Sequence, residues 1–385
     1  MEPQSQKSLR GHIVELDSLR GVAALIVVFD HFTRLWMETA HPAWAERLRE
    51  FPLAIFTNGY GAVMMFFVLS GFVLTLPALG GKRQPYLVYA LRRICRIYLP
   101  YLAAISLAIL ACWQFHGLQI YGHEFQVMWR EGSPDTRTVL QHLLLVGRFD
   151  VFAYNPPAWT LVHELRISLL FPLLLLISSR LRGRWALAVA FCFPVLAGVM
   201  DRASLKLGLP GPAFESSRWI TYAKTVEYCG VFLLGSLMAR HQGVLRRWSG
   251  KMPDALKWLL LPVALLATQY PHRLPIPGHF FEFTMALGEA YILLLALMEH
   301  GWISRLLRRR PLRFLGRVSY SLYLLHLPLL MIFAIWIDGK LPFGLLLLPF
   351  LAVLLALSAV FYRFIEAPSM ALGRRISAIR SLQIW

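Results

Sequence analysis

The sequence predicts an all-α, polytopic transmembrane helix bundle, and three observations predict it. Hydrophobic residues make up 57% of the 385 and charged residues only 16%, where soluble globular chains carry about a quarter charged. The apolar residues gather in blocks of about 16–23, the length of a helix that crosses a bilayer. Between the blocks lie short segments rich in Lys and Arg, the pattern of cytoplasmic loops.

Ten spans follow, at roughly 20–37, 58–79, 96–114, 159–178, 185–201, 223–239, 255–270, 281–299, 314–336 and 342–364. With the N-terminus inside, 25 of the 39 Lys and Arg fall in the tail through Arg20, the loops 80–96, 179–184, 240–257 and 300–313, and the tail from Arg363. Only 10 fall in the opposite loops. This asymmetry predicts cytoplasmic termini and a multi-pass protein of the cell (inner) membrane. The stretch TVLQHLLLVGRF (138–149) is apolar but too short to cross, and reads as a re-entrant or interfacial helix within a long outer loop, 115–158.

The chain reads as one domain, 1–385, with short cytoplasmic tails at 1–19 and 365–385 and no internal repeat. Its polar start, MEPQSQKSLRGHIVELDSLRG, lacks a signal-peptide core, so the first span is expected to be retained. The net charge of +18 is spread over loops rather than one module, so the expected partner is the lipid bilayer and not nucleic acid. Cys95, Cys112, Cys192 and Cys229 show no metal-ligand spacing and no disulfide framework.

Ionisable residues inside a bilayer need a partner, a wet cavity or a task. The first span carries Arg20, Asp30 and His31. Eleven residues separate Arg20 from His31, about three turns, which places them on one face and ~16 Å apart along the axis. A guanidinium suits a phosphate, and an imidazole suits proton abstraction from a hydroxyl. The separation is roughly the reach of an extended pantetheine arm. A histidine that merely bonds a neighbouring helix is the competing reading.

In NGYGAVMMFFVLSGFVLT, Gly59, Gly61, Ser70 and Gly71 allow close helix packing or a path for a slender ligand. RRICRIYLP follows, with Arg93 and Arg96 three apart on one face, positioned to join Arg20 in a phosphate clamp. NPPAWTLVHELRISLLFP brings Trp159, His163 and Glu164 in from outside, with Glu164 expected at a depth near His31. FLGRVSYSLYLLHLPLL carries Ser319, Tyr320, Tyr323 and His326, while Glu227 and Glu289 fall in the outer halves of their spans. Arginines therefore collect at the inner mouth, and carboxylates and histidines toward the outside. An anionic cytoplasmic donor and a neutral, hydroxyl-rich acceptor would suit such a site; a polar network that only fixes packing is the alternative.

No GxSxG elbow accompanies the serines. VHEL is not an HExxH zinc site, because Ile167 stands four residues after His163 where the second histidine would be, and no Gly-rich phosphate loop is present. Direct transfer with a histidine base is preferred to a covalent serine, and no metal is expected.

Six segments, in order, resemble the integral-membrane acyltransferase family 3, bacterial enzymes that O-acylate surface glycans and some small molecules. They are LDSLRGVAALIVVFDHF, GAVMMFFVLSGFVLT, RRICR, NPPAWTLVHELRISLLFP, LGRVSYSLYLLH and RFIEAPSM, the last with Glu366 and Pro368. The resemblance implies an acyl-CoA donor from the cytoplasm, commonly acetyl-CoA, with no permanently bound cofactor. It implies functional roles for Arg20 and His31, carries over Arg93 and Arg96, and matches Glu164. Asp30 departs from the family, which has an apolar or aromatic residue there; Thr160 and Ser168 depart as well. With no catalytic domain after the last span, a stand-alone type is expected.

The expected chemistry has the donor phosphates on Arg20, Arg93 and Arg96, and His31 as base, oriented by Asp30 or Glu164. Tyr320, Tyr323 or His326 would support the oxyanion, and Ser70, Trp159 and His163 would line the substrate path. The acceptor is a hydroxyl of a cell-surface or exported glycan, or of a small molecule. The rival from another class is a proton-coupled transporter using the same polar path.

Overall fold

Each apolar block forms a helix in the computed structural model, which describes residues 13–40, 46–50, 52–81, 84–115, 129, 135–145, 149–207, 221–298, 301–337 and 343–376. In chain order the α-helices are α1 (Val14–Ala40), α2 (Gly59–Leu79), α3 (Tyr86–Phe115), α4 (Thr136–Leu144), α5 (Ala158–Arg180), α6 (Gly183–Lys206) and α7 (Tyr222–Lys251). They continue as α8 (Asp254–Gln269), α9 (Phe281–Ala296), α10 (Trp302–Leu307), α11 (Arg310–Ile337), α12 (Leu347–Phe361) and α13 (Ala367–Ile376). No strand occurs among the described residues. Among the described residues seven helical stretches are long and apolar enough to cross a membrane. Leu107, Leu173, Leu259 and Leu348 are among the exposed apolar side chains that a bilayer would cover.

α4 has nine residues and ends at Leu145 in the left-handed region (φ 53°). Its last carbonyls accept hydroxyls from α3: Tyr98 to Leu143 at 2.6 Å and Tyr101 to His142 at 2.8 Å. These tyrosines lie more than three turns into α3, so the segment is held at depth, as a re-entrant helix would be. Further along, Phe149, Val151, Tyr154 and Asn155 are all buried. Irregular backbone at membrane depth requires that protein cover.

Prolines inside helices leave the carbonyl four residues earlier without its N–H, and neighbours supply the missing donors. Pro172 frees Ser168 O, which takes the Tyr89 hydroxyl at 2.6 Å. Pro328 frees Leu324 O, which takes Asn155 Nδ2 at 3.0 Å. The second bond docks the chain ahead of α5 onto α11, so α5 starts inside the bundle, with Pro156, Pro157 and Ala158 buried.

The pairing of α1 with α11 fixes the centre. Gly21 lies on the backbone of Leu315 and Gly316, and Gly316 on that of Asp17 and Ser18. Ten residues further along each helix, His31 meets His326. The two helices therefore run parallel in a common register.

Two boundaries differ from the sequence reading. The segment 300–313, expected as a loop, holds α10 and the start of α11. Residues 365–376, expected as a tail, continue α12 through a π turn (Tyr362–Glu366) into α13, which packs on α3. The cause is Glu366, buried with its Oε2 accepting from Ser321 Oγ at 2.5 Å.

Candidate active site

Two cavities lie along the α1–α11 pair. The larger, of about 500 Å³, opens at the end where α1, α3 and α11 begin and is called here the basic-end chamber. Arg20 of α1, Arg96 of α3, and Arg313 and Arg317 of α11 line it, opposed by Asp17, Glu164 and Glu366. Arg313 and Arg317 are exposed at its mouth, while Arg20 and Arg96 sit half-buried deeper in. The wall also includes Ser70, Ser319, Tyr320 and Tyr323. Four guanidiniums against three carboxylates leave one formal positive charge, which favours an anionic guest.

The smaller, far chamber encloses about 150 Å³ and is lined by Asp30, His31, Arg34, Tyr60, Phe152, Pro156, Pro157 and Trp159, among others. Val63 and Tyr323 line both cavities, so one layer of side chains separates them. The Tyr323 hydroxyl is fixed in that layer by Thr160 Oγ1 at 2.8 Å and Pro157 O at 3.1 Å. Tyr60 stacks on Trp159 with 5.9 Å between ring centres, and its hydroxyl donates to Glu282 at 2.9 Å. Lys224 joins that carboxylate to Glu227.

The protonation pattern of His31 follows from its neighbours. Nδ1 lies 2.9 Å from Val27 O, which only accepts, so Nδ1 carries the hydrogen. In the neutral ring Nε2 is then the free lone pair, the form a general base needs. The second neighbour is His326 Nε2, 3.3 Å from His31 Nδ1.

The structure separates several of the residues expected to act together. Arg93 does not line the cavity: it is buried behind it, with Nη2 3.1 Å from Ser168 Oγ and 3.5 Å from Glu164 Oε1. The three-residue step from Arg96 turns it by about 60° around α3, toward Ser168 and Glu164 of α5. Glu164 lines the basic-end chamber, not the His31 chamber, and is held by Arg93 and by Ser70 Oγ at 3.4 Å. The depth estimate fails because α5 begins inside the bundle, which shifts every residue on it toward the basic end. Asp30 pairs with Arg34 (3.0 Å) and makes no bond to His31, so neither carboxylate orients the imidazole.

His163 lines neither cavity; it is fully buried, with Nδ1 3.0 Å from Thr225 Oγ1 and its ring against Tyr228. Tyr320 lines the basic-end chamber, but its hydroxyl is committed to Ile97 O at 2.6 Å. His326 offers no proton to an oxyanion, since its Nδ1 donates to Tyr323 O at 2.7 Å and its Nε2 faces His31. The residues that sequence reasoning missed are Arg313, Arg317, Arg34 and Tyr60. The signal for the first two was present: arginines four apart on either side of Gly316 share one helix face. Among the described residues no group of three or more His, Cys, Asp or Glu could hold a metal.

A chamber lined by arginines and a second lined by His31, on one helix pair of a membrane bundle, fit a membrane-embedded acyltransferase, and the comparisons with known proteins give that class. The chain belongs to acyltransferase family 3, whose model, described as "Acyltransferase domain", matches residues 13–363. It is similar to "Acyltransferase MdmB" of Streptomyces mycarofaciens, 26% identical over 84% of each chain. It is also similar to "Putative peptidoglycan O-acetyltransferase YrhL" of Bacillus subtilis (strain 168), 25% identical over 94% of this chain and 56% of that one. No solved structure matches.

Proposed function

We propose that the enzyme moves an acyl group, acetyl by preference, from acyl-CoA to a hydroxyl of a cell-surface or exported glycan. The observation that carries the reading is the pair of chambers on one helix pair, arginines in one and His31 in the other. The basic end faces the cytoplasm of a bacterial inner membrane, as the charge distribution favours. Donor phosphates rest on Arg20, Arg96, Arg313 and Arg317, and the pantetheine arm passes Val63 and Tyr323 toward His31.

The acceptor hydroxyl gives its proton to His31 Nε2, and its oxygen attacks the thioester carbonyl. The C–S bond then breaks, and the proton passes from Nε2 to the leaving sulfur, so ester and free thiol form with no net proton change. Trp159 and Tyr60 offer an aromatic wall for a sugar ring, and the Asp30–Arg34 pair offers polar partners for its hydroxyls. The similarity to a putative peptidoglycan O-acetyltransferase supports an acetyl group and a glycan acceptor.

The test is release of free CoA from acetyl-CoA by purified protein in nanodiscs, with His31→Ala and Arg20→Ala for comparison. Release by the wild type that both variants lose supports the assignment. Full turnover by a folded His31→Ala protein removes His31 as the base, and solute uptake without donor consumption would favour a transporter.

A further inference from the structure

His326 is fully buried, lines neither chamber and has no part in the chemistry above. Its partners nevertheless fix its state. Nδ1 is 2.7 Å from the carbonyl of Tyr323, an acceptor only, so Nδ1 bears the hydrogen and Nε2 is bare. That bare nitrogen lies 3.3 Å from the Nδ1–H of His31, with ring centres 5.0 Å apart. The His31 hydrogen is thus shared between Val27 O and His326 Nε2. The result is a chain of two imidazoles, anchored on a backbone carbonyl at one end and open to the far chamber at the other.

We propose that His326 is the positioning residue for His31. Its Nε2 accepts the His31 Nδ1–H, keeps the opposite nitrogen of His31 toward the far chamber, and shares the positive charge that His31 gains on protonation. No proton need leave Nδ1; the transferred proton arrives at and departs from His31 Nε2. A neutral imidazole does here what a carboxylate does in Asp–His pairs, with an advantage inside a membrane. A carboxylate would add a buried charge needing its own counter-ion in every state, whereas His326 adds none. The two candidate carboxylates are placed elsewhere: Asp30 on Arg34, Glu164 in the other chamber.

The inference rests on His31 as base, so the experiment has one arm that does not depend on turnover. In histidine-labelled protein in nanodiscs, the His31 Nδ1–H resonance is identified by its loss in His31→Asn. It should move upfield and broaden in His326→Phe, which keeps the ring shape without an acceptor. It should persist in His326→Gln, whose Oε1 replaces the accepting nitrogen. In the second arm, with acetyl-CoA as donor, His326→Phe should lower kcat about tenfold or more while KM for the donor stays within about twofold. His326→Gln should recover much of the loss. An Nδ1–H resonance unmoved by His326→Phe, or equal kcat in the Phe and Gln variants, overturns the proposal; should Phe prevent folding, His326→Leu replaces it. Absence of turnover in the wild type would count against the donor assignment, while the resonance still decides the role of His326.

Discussion

The contact of Gly316 with α1 sets the distance between His31 and His326, and a single methyl group tests it. In Gly316→Ala the new carbon would lie 2.5 Å from the Asp17 carbonyl carbon and 2.8 Å from Ser18 N, both backbone atoms that no rotamer can move. Restoring ordinary contact at 3.4 Å requires the helices to part by about 0.9 Å. Because α1 and α11 run parallel in register, the same separation ten residues on stretches the 3.3 Å histidine contact to about 4.2 Å, beyond hydrogen-bond reach. Overpacking of this kind costs about 1–3 kcal/mol. The expected result is a lower unfolding midpoint in nanodiscs and a kcat for acetyl-CoA turnover reduced about tenfold or more. Gly243→Ala is the control: nothing lies within 4 Å of a methyl there, and Ala is favoured over Gly in a helix by up to about 1 kcal/mol. Wild-type midpoint and turnover in Gly316→Ala would refute the register argument outright.

Three further outcomes are expected. Arg313→Gln and Arg317→Gln should raise KM for acyl-CoA about tenfold, since a charge-assisted hydrogen bond contributes about 1.5–3 kcal/mol; an unchanged KM removes them from the donor site. Arg93→Gln should instead lower thermal stability and kcat with little effect on donor binding, because its guanidinium holds Ser168 and Glu164 from behind. Glu15, ahead of the first span, accepts from Ser304 Oγ at 2.9 Å and Arg308 Nε at 2.6 Å. Burial opposes its ionisation, but the backbone and Arg308 hydrogen bonds outweigh it and hold the carboxyl below its ordinary value of 4.5. Its contribution is therefore full above about pH 4.5 and lost as pH falls through the lower folded value. The unfolding midpoint of Glu15→Gln should approach that of the wild type in acid. The effect is small and salt-sensitive because Arg308 is half exposed.

Sequence patterns located the helices because bilayer thickness imposes a length and loop charge imposes a side. The short stretch before α5 was recognisable as non-spanning for the same reason. Which face of a helix meets which neighbour was not legible. His31 and His326 are 295 residues apart, and no local periodicity pairs them. Arg93 and Arg96 share a motif, yet one supports Glu164 and the other faces the cavity, a division decided by the packing of α3 on α5. Glu164 was placed too near His31 because counting residues from Trp159 assumes that α5 starts at the membrane surface. Asn155, bonded to the carbonyl that Pro328 releases, holds that start within the bundle. Arg313 and Arg317 were passed over because a bias toward basic residues at one end of the helices accounts for such residues without a role in the site.

The layer that Val63 and Tyr323 share between the two chambers bears on where a transmembrane voltage would fall. Water-filled hollows on either side would focus the potential drop across this one stratum rather than over the full bilayer. A unit charge moved through it does electrical work of about 2.3 kcal/mol per 100 mV. A thioester is uncharged and crosses without that work. A thiolate withdrawing toward an interior at negative potential would have to climb it. Under the proposed chemistry, returning the proton to sulfur before withdrawal makes the departing group electrically silent, and turnover should then be insensitive to membrane voltage.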